Sequence, residues 1–303
     1  MLTICVPDEV AKREVGEIPD VELLVWGGDG PPPAGFDGVQ LLVPSYALSA
    51  MTPELLAGLP ELRVIQLLSA GVEPWLDRVP DGVVLCNGRG IHGASTAELA
   101  VAGLLSVLRE LPRYHAEQVA HRWTPMRTDG LAGKRVLVLG AGDIGRRVAA
   151  AVEVFDATAT LVARRPRDGV APISALGELL PDHDVVVVAL PHTPQTHGLV
   201  DAPFLAALPD GAVVVNVARG QLLDTDALLA ELVAGRLRAF LDVTDPEPLP
   251  SDHPLWAAPN VLITPHVGGG TRGWERRAYQ LVREQVIRFR DGAPLANVVS
   301  AGY

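Results

Sequence analysis

The chain has 303 residues, of which 48% are apolar and 20% charged, and it carries a formal net charge of −11. That length and composition describe a folded globule with room for two domains, and they exclude disordered and fibrous classes. The acidic balance argues against nucleic acid or anionic membrane as partners, because the basic residues are scattered or confined to one C-terminal helical pattern.

The opening stretch MLTICVPDEV has no basic segment ahead of an apolar one and does not read as a secretion signal. The longest apolar run, LAVAGLLSVL, falls short of the roughly 20 residues a membrane span needs. Cys5 and Cys86 each lie in an apolar run without paired or metal-like spacing, so buried free thiols, a reducing compartment and a cytoplasmic location are expected, with no bound metal.

In chain order, LTICV, VELLVW, VQLLVPS and RVIQLLS are apolar runs bounded by Pro, Gly or polar residues, and they read as buried strands. DEVAKREVG, TPELLAGLP and VEPWLDRV between or after them read as helices. Strand alternating with helix predicts parallel sheets built of right-handed βαβ units. STAELAVAGLLSVLRELPRYHAEQVA is a long helical pattern, with Ser95 or Thr96 as N-cap, Glu98 in the first turn and a stop or kink at Pro112. A second set of strands follows in KRVLVLG, TATLVAR, DVVVVALP, GAVVVNVA, LRAFLDV and NVLITPH. A final helical pattern, TRGWERRAYQLVREQVIRFR, closes the chain; two long helices flanking the second set of strands suggest that the chain crosses to a second domain and then comes back. The fold class is α/β, with two doubly wound parallel sheets.

The strand KRVLVLG runs directly into GAGDIG and then a helical pattern. In that order the glycines of a GxGxxG turn, Gly140, Gly142 and Gly145, permit a tight turn and close backbone approach, while the helix N-terminus offers free N–H groups to a pyrophosphate. Asp143 and Ile144 lie inside the same turn. An NAD-preferring fingerprint places an acid at the end of the next strand, where this chain has Ala163 followed by Arg164 and Arg165. A carboxylate there repels a 2′-phosphate and a guanidinium grips one, so NADP(H) is expected over NAD(H).

Three polar motifs close later strands: NVARG (216–220), LDVTDPEPLP (241–250) and TPHVGGG (264–270). Such positions face the crevice where open α/β sheets bind ligands. With SAGVE (69–73), TAELAVAGLL, GAGDIG and LPHTPQTHGLV, they make the chain resemble the D-isomer-specific 2-hydroxyacid dehydrogenase family over essentially its full length. The resemblance implies two Rossmann-like domains with a cleft between them, a substrate domain over 1–95 plus 271–303 and a dinucleotide domain over 96–270. It also implies a homodimer packed through the dinucleotide domains, which the apolar face of the helix at 95–111 suits.

By the same resemblance Arg219 binds substrate, Glu247 pairs with the catalytic His266, and Asp242 contacts the nicotinamide carboxamide. The loop Ser69, Ala70, Gly71 and Val72 holds the substrate carboxylate, Thr96 lies near the cofactor phosphates, and Pro191 borders the cofactor. The chemistry agrees: reducing a 2-keto acid requires a proton at the carbonyl oxygen, which a histidine held by an acid supplies, and a planar guanidinium to polarise the carbonyl. Singly, Arg219 reads equally as a strand-end cap, Glu247 as a solvated turn residue and His266 as a structural loop histidine; jointly they point to catalysis.

The expected reaction is reversible reduction of a small 2-keto acid such as glyoxylate or hydroxypyruvate. Two alternatives stay open: a relative acting on formate, phosphite or a phosphonate, and a non-catalytic dinucleotide-sensing module like the corepressors of this fold. Thr244, where the family commonly has an aromatic residue, and Asp143, where a basic residue is frequent, depart from the family pattern.

Overall fold

The computed structural model of the chain describes residues 1–46 and 50–299; residues 47–49 and 300–303, which fall within the expected substrate domain, lie outside the described residues. Contacts divide the chain into two units, Met1–His92 with Gly270–Tyr303, and Gly93–Gly269.

In the first unit the apolar runs form β1 (Leu2–Val6), β2 (Val21–Val25), β3 (Leu41–Leu42), β4 (Val64–Gln66) and β5 (Val84–Cys86), with α1 (Glu9–Val15) and α2 (Pro53–Ala57) between them. They build a five-stranded parallel sheet ordered β2-β1-β3-β4-β5. Asp8 and Thr52 cap the two helices, each side chain accepting a hydrogen bond from a first-turn N–H. VQLLVPS contributes only two residues to the sheet, and Pro44, which has no N–H to donate, follows closely. VEPWLDRV forms a 3₁₀ turn at Glu73–Trp75 instead of the expected helix, since Pro74 and Pro80 bracket too few residues for a stable α-helix.

The second unit begins with α3 (Gly93–Leu108) and α4 (Leu111–Val119) and continues through β6 (Arg135–Leu139), α5 (Asp143–Glu153), β7 (Thr158–Ala163), β8 (Val170–Pro172), α6 (Leu176–Leu179), β9 (Val185–Val188), α7 (Ala202–Ala206), β10 (Val213–Asn216), α8 (Thr225–Val233), β11 (Arg238–Leu241) and β12 (Val261–Ile263). Its seven-stranded sheet is parallel and ordered β12-β11-β10-β9-β6-β7-β8. The central VVVV and VVV runs are fully buried, as expected of strands covered on both faces. The chain leaves β6 toward β7 on one side and later returns to β9 on the other, and a parallel sheet binds ligands at the carboxyl ends beside such a switch point.

One sequence expectation is corrected here. α3 starts at Gly93, so Ser95 and Thr96 lie inside its first turn and do not cap it. Gly93 packs against the dinucleotide turn so closely that a Cβ there would sit 1.8 Å from Asp143 Oδ2. This brings a carboxylate to the positive end of the helix. The C-terminal helix, α9 (Trp274–Arg290), belongs to the first unit, in the segment 271–303 expected to join residues 1–95. Its stripe of Ala278, Tyr279, Val282 and Val286 packs with Ala11 and Val15 of α1 and with Ile4 and Leu41 of the first sheet. Sequence periodicity sets which face of a helix is buried but not which sheet receives it.

The chain breaks after Leu108, with Glu110 at φ 54°, and Pro112 sits in the first turn of α4. The apolar face of α3 is taken up by its own unit: Ala100, Leu104 and Leu108 are buried, and Gly103 lies where a Cβ would meet the Phe240 ring at 2.2 Å. It is therefore not the surface that a second subunit would cover.

Candidate active site

At the carboxyl end of β6 the three fingerprint glycines have different neighbours. Gly140 has φ 117°, and a Cβ there would meet Ala189 O at 2.4 Å; one on Gly145 would meet Gly140 O at 1.8 Å. Both positions therefore require glycine for packing. Gly142 faces open space, with no atom within 4 Å of its Cβ position, and it begins α5 without any side-chain cap. An uncapped helix N-terminus beside an open glycine fits a pyrophosphate, whose oxygens would accept the unmade N–H bonds. The Asp143 carboxylate is engaged elsewhere: Oδ1 accepts from Arg147 Nε at 2.8 Å, and Oδ2 is buried against Gly93 without a hydrogen-bond partner. Ile144 packs on the core beneath the turn.

Arg164 and Arg165 are exposed beyond β7. A third arginine, which the sequence reading missed, joins them: Arg167 donates from Nη2 to Ala141 O at 2.8 Å, pinning the loop to the dinucleotide turn. Its signal was present as one more guanidinium in ARRPR. On the other flank, Pro191 opens a turn in which Thr196 Oγ donates to Pro191 O at 2.8 Å and accepts from Thr193 N at the same distance. His192 Nε2 and His197 Nδ1 lie 3.1 Å apart in this turn.

The ends of β10, β11 and β12 carry the polar motifs. Asn216 is fully buried; its amide donates to Arg219 O at 2.9 Å and its Oδ1 accepts from Ala218 N at 3.1 Å, so it fixes the turn that presents Arg219. Arg219 Nη1 donates to Ala218 O at 2.7 Å. A Cβ on Gly220 would stand 2.0 Å from Thr244 O, which seats this turn directly on the loop that carries Glu247.

Asp242, 2% exposed, occupies the next strand end, and its N–H donates to Asn216 O at 2.9 Å. Its carboxylate accepts from Thr264 Oγ at 2.6 Å, Val267 N at 2.9 Å and Gly268 N at 2.8 Å, while its carbonyl accepts from His266 N at 2.7 Å. The residue expected at the nicotinamide thus grips both sides of His266. That grip has an evident purpose, because His266 adopts φ 53°, a left-handed conformation costing a non-glycine residue of order 1 kcal/mol or more. Thr96 lies against the same loop, its side chain 3.2 Å from the Cβ position of Gly268.

His266 Nδ1 and Glu247 Oε1 are 2.5 Å apart. The ring is half exposed, at 47%, and a ring that donates through Nδ1 to a carboxylate keeps Nε2 for exchanging a proton with a ligand. Glu247 sits between two cis peptide bonds, Asp245–Pro246 and Glu247–Pro248.

In the first unit, Ser69 Oγ donates to Gly71 O at 2.7 Å, Ser69 O accepts from Gly88 N at 2.7 Å and Ala70 O accepts from Asn87 Nδ2 at 3.2 Å, which shape the loop Ser69–Val72. Trp75 is buried beside it, whereas Trp256 is half exposed and donates from Nε1 to Pro250 O. Among the described residues there is no group of three or more His, Cys, Asp or Glu that could hold a metal ion, and no helix is long and apolar enough to cross a membrane.

The family described as D-isomer specific 2-hydroxyacid dehydrogenase, NAD binding domain, matches residues 101–268. The chain belongs to the D-isomer specific 2-hydroxyacid dehydrogenase family. It is an NAD(P)-dependent oxidoreductase with the two-domain α/β fold of that family. It is 34% identical over 270 residues to a glyoxylate/hydroxypyruvate reductase A of Klebsiella pneumoniae, covering 84% of this chain and 85% of the relative. Two crystal structures of dehydrogenases of this kind superpose over nearly the whole chain. One, from Sinorhizobium meliloti, is an NADPH-dependent glyoxylate/hydroxypyruvate reductase in complex with NADP and sulfate, with TM-score 0.85, 28% identity and 100% of each chain covered. The other, a D-isomer specific 2-hydroxyacid dehydrogenase from Xanthobacter autotrophicus in complex with NADPH and MES, has TM-score 0.83 and 29% identity, covering 99% of this chain and 98% of its own.

Proposed function

We propose that this dehydrogenase reversibly reduces a small 2-keto acid of the glyoxylate/hydroxypyruvate class to the D-2-hydroxy acid, using NADP(H) in preference to NAD(H). The observation that carries the reading is the His266–Glu247 pair at 2.5 Å, on a loop held by Asp242. His266 delivers a proton from Nε2 to the carbonyl oxygen of the substrate while Glu247 holds the ring through Nδ1; in the oxidative direction the same nitrogen takes the hydroxyl proton. Arg219 polarises the carbonyl and holds the carboxylate with its planar fork. Main-chain groups of Ser69, Ala70, Gly71 and Val72 hold the other side of that carboxylate. When bound, the nicotinamide cofactor supplies or accepts the hydride.

Gly140, Gly142, Gly145 and the N-terminus of α5 would hold the pyrophosphate, with Thr96, Ile144 and Pro191 alongside. Preference for NADP(H) is supported by Arg164 and Arg165 standing where an acid would repel the 2′-phosphate, by Arg167 beside them, and by the NADP and NADPH bound in the two related structures. Asp143 faces Arg147, which leaves the turn open to an anion. We assign Asp242 first to holding His266, its contact with the carboxamide being secondary.

The unit Gly93–Gly269 is proposed as the cofactor domain and the other unit as the substrate domain. The enzyme is further proposed to work in the cytoplasm, where its two buried free cysteines remain reduced, and as a homodimer. Its exposed apolar surface for a second subunit is at Leu111, Val119 and Trp123, the last 97% exposed, on a helix and arm with no buried residue in α4.

Assaying a panel of 2-keto acids with NADPH and with NADH, alongside formate and phosphite as donors with the oxidised cofactors, tests the reading. Turnover of glyoxylate or hydroxypyruvate with NADPH supports it. Turnover confined to formate or phosphite, or cofactor binding with no turnover of any substrate, refutes it.

A further inference from the structure

The recess beside Ser69 in the first unit has an unusual hydrogen-bonding character. Its lining includes Ser45, Tyr46, Leu68, Ser69 and Trp75, and among the described residues it contains no charged side chain. The protons of its hydroxyl groups are already engaged. Ser45 Oγ donates to Gly27 O at 2.6 Å and Ser69 Oγ donates to Gly71 O at 2.7 Å. Tyr46 Oη lies 3.3 Å from Leu68 O and 3.0 Å from His92 Nε2. Its single proton goes to Leu68 O, or to His92 Nε2 in the tautomer that leaves that nitrogen bare; where Nε2 carries the hydrogen it donates to the phenolic oxygen, and in each arrangement that oxygen keeps a lone pair. Tyr46 and Ser69 therefore present acceptors to the recess while the protons they carry are used internally.

We propose that this recess reads the group attached to the carbonyl carbon on the side away from the carboxylate, and that it admits hydrogen or a hydroxymethyl group while rejecting phosphorylated and carboxylated substituents. The proposal rests on the functional reading above, since it takes the adjoining Ser69–Val72 loop as the carboxylate holder. A hydroxymethyl group brings its own O–H, which Tyr46 Oη accepts, and its carbon rests on the indole of Trp75. A phosphate or second carboxylate brings only acceptors and negative charge. In this recess it meets lone pairs and apolar walls and, among the lining residues, no guanidinium or ammonium to balance its charge, so its hydration is poorly replaced. Such discrimination by an unsatisfied polar group is far sharper than discrimination by size.

The test is steady-state reduction with NADPH of glyoxylate, hydroxypyruvate, 3-phosphohydroxypyruvate and oxaloacetate, by the native enzyme and by Tyr46→Phe. Tyr46 is 55% exposed, so the variant is expected to fold normally. Native kcat/KM for hydroxypyruvate is expected to exceed that for the phosphorylated acid and for oxaloacetate by about 100-fold or more, the scale set by leaving polar groups unpaired. In Tyr46→Phe the ratio of hydroxypyruvate to glyoxylate kcat/KM is expected to fall about fivefold to tenfold, the worth of one hydrogen bond. Comparable use of the phosphorylated acid, or an unchanged ratio in the variant, overturns the proposal while leaving the 2-keto acid reading intact. Failure to turn over any 2-keto acid removes that reading, and this one with it.

Discussion

Replacing Asp242 with Asn separates two roles that a strand-end carboxylate in this family can have. In the structure Oδ1 receives the Thr264 hydroxyl and the Val267 N–H, and Oδ2 receives the Gly268 N–H. An amide offers one acceptor oxygen and one NH₂ group, so in either orientation the NH₂ confronts at least one of these donors. The variant loses at least one hydrogen bond to a charged acceptor, worth about 1.5–3 kcal/mol, and leaves a buried donor unpaired. At roughly 2–4 °C per kcal/mol for a domain of this size, Tm is expected to drop by about 5–10 °C. The same loss loosens the left-handed backbone at His266, so kcat is expected to fall together with Tm. Thr264→Val removes one donor and leaves the two N–H bonds, and its expected shift is about half as large. The assay is calorimetric unfolding of the protein without added cofactor, paired with steady-state kinetics. An unchanged Tm in D242N, with the effect confined to cofactor affinity, would refute the reasoning and return Asp242 to a purely nicotinamide-facing role.

The two glycines of the dinucleotide turn give opposite expectations: Gly142→Ala, which meets no atom, is expected to keep Tm and weaken NADPH binding in calorimetric titration, whereas Gly145→Ala, 1.8 Å from Gly140 O, is expected to cost stability outright. Arg164→Asp is expected to lower the NADPH to NADH ratio of kcat/KM by about 100-fold, while Arg167→Ala, which frees Ala141 O, is expected to weaken binding of both cofactors. Burial pushes the Cys5 thiol up to about 12 and the Cys86 thiol up to about 11, so neither is expected to react with iodoacetamide near about pH 8 until the protein unfolds, as read by mass spectrometry. Because the unfolded thiols release protons at lower pH than the folded ones, their contribution to stability is present below the ordinary thiol range and declines as pH rises through it.

The parallel sheets were legible because continuous Val and Leu runs between turn signals admit little else, and every strand read from the second half forms part of the seven-stranded sheet. Periodicity alone lets the stripe on α9 fit either sheet; the resemblance put the segment 271–303 with residues 1–95, and α9 packs there on α1. Within the site, Glu247 and His266 were expected as a pair because the family resemblance pairs them; their motifs alone left each open to a turn or loop role, and the structure brings them to 2.5 Å. Asn216 and Thr264 escaped notice because their chemistry is directed at main-chain groups and at Asp242, and nothing in their spacing announces a partner. Gly220 and Gly268 were not singled out in NVARG and TPHVGGG, and their requirement is visible only as the absence of room for a Cβ. Tyr46 lay outside every motif, and its relation to Ser69 arises from β3 and β4 being neighbours in the sheet.

The central claim is that His266 exchanges the proton of the reaction, and His266→Ala tests it most directly when turnover and cofactor affinity are measured on the same preparation. NADPH-dependent reduction of hydroxypyruvate is expected to disappear to the assay limit while the dissociation constant for NADPH stays within about twofold of the native value. Retention of more than about a tenth of native kcat by this variant would contradict it.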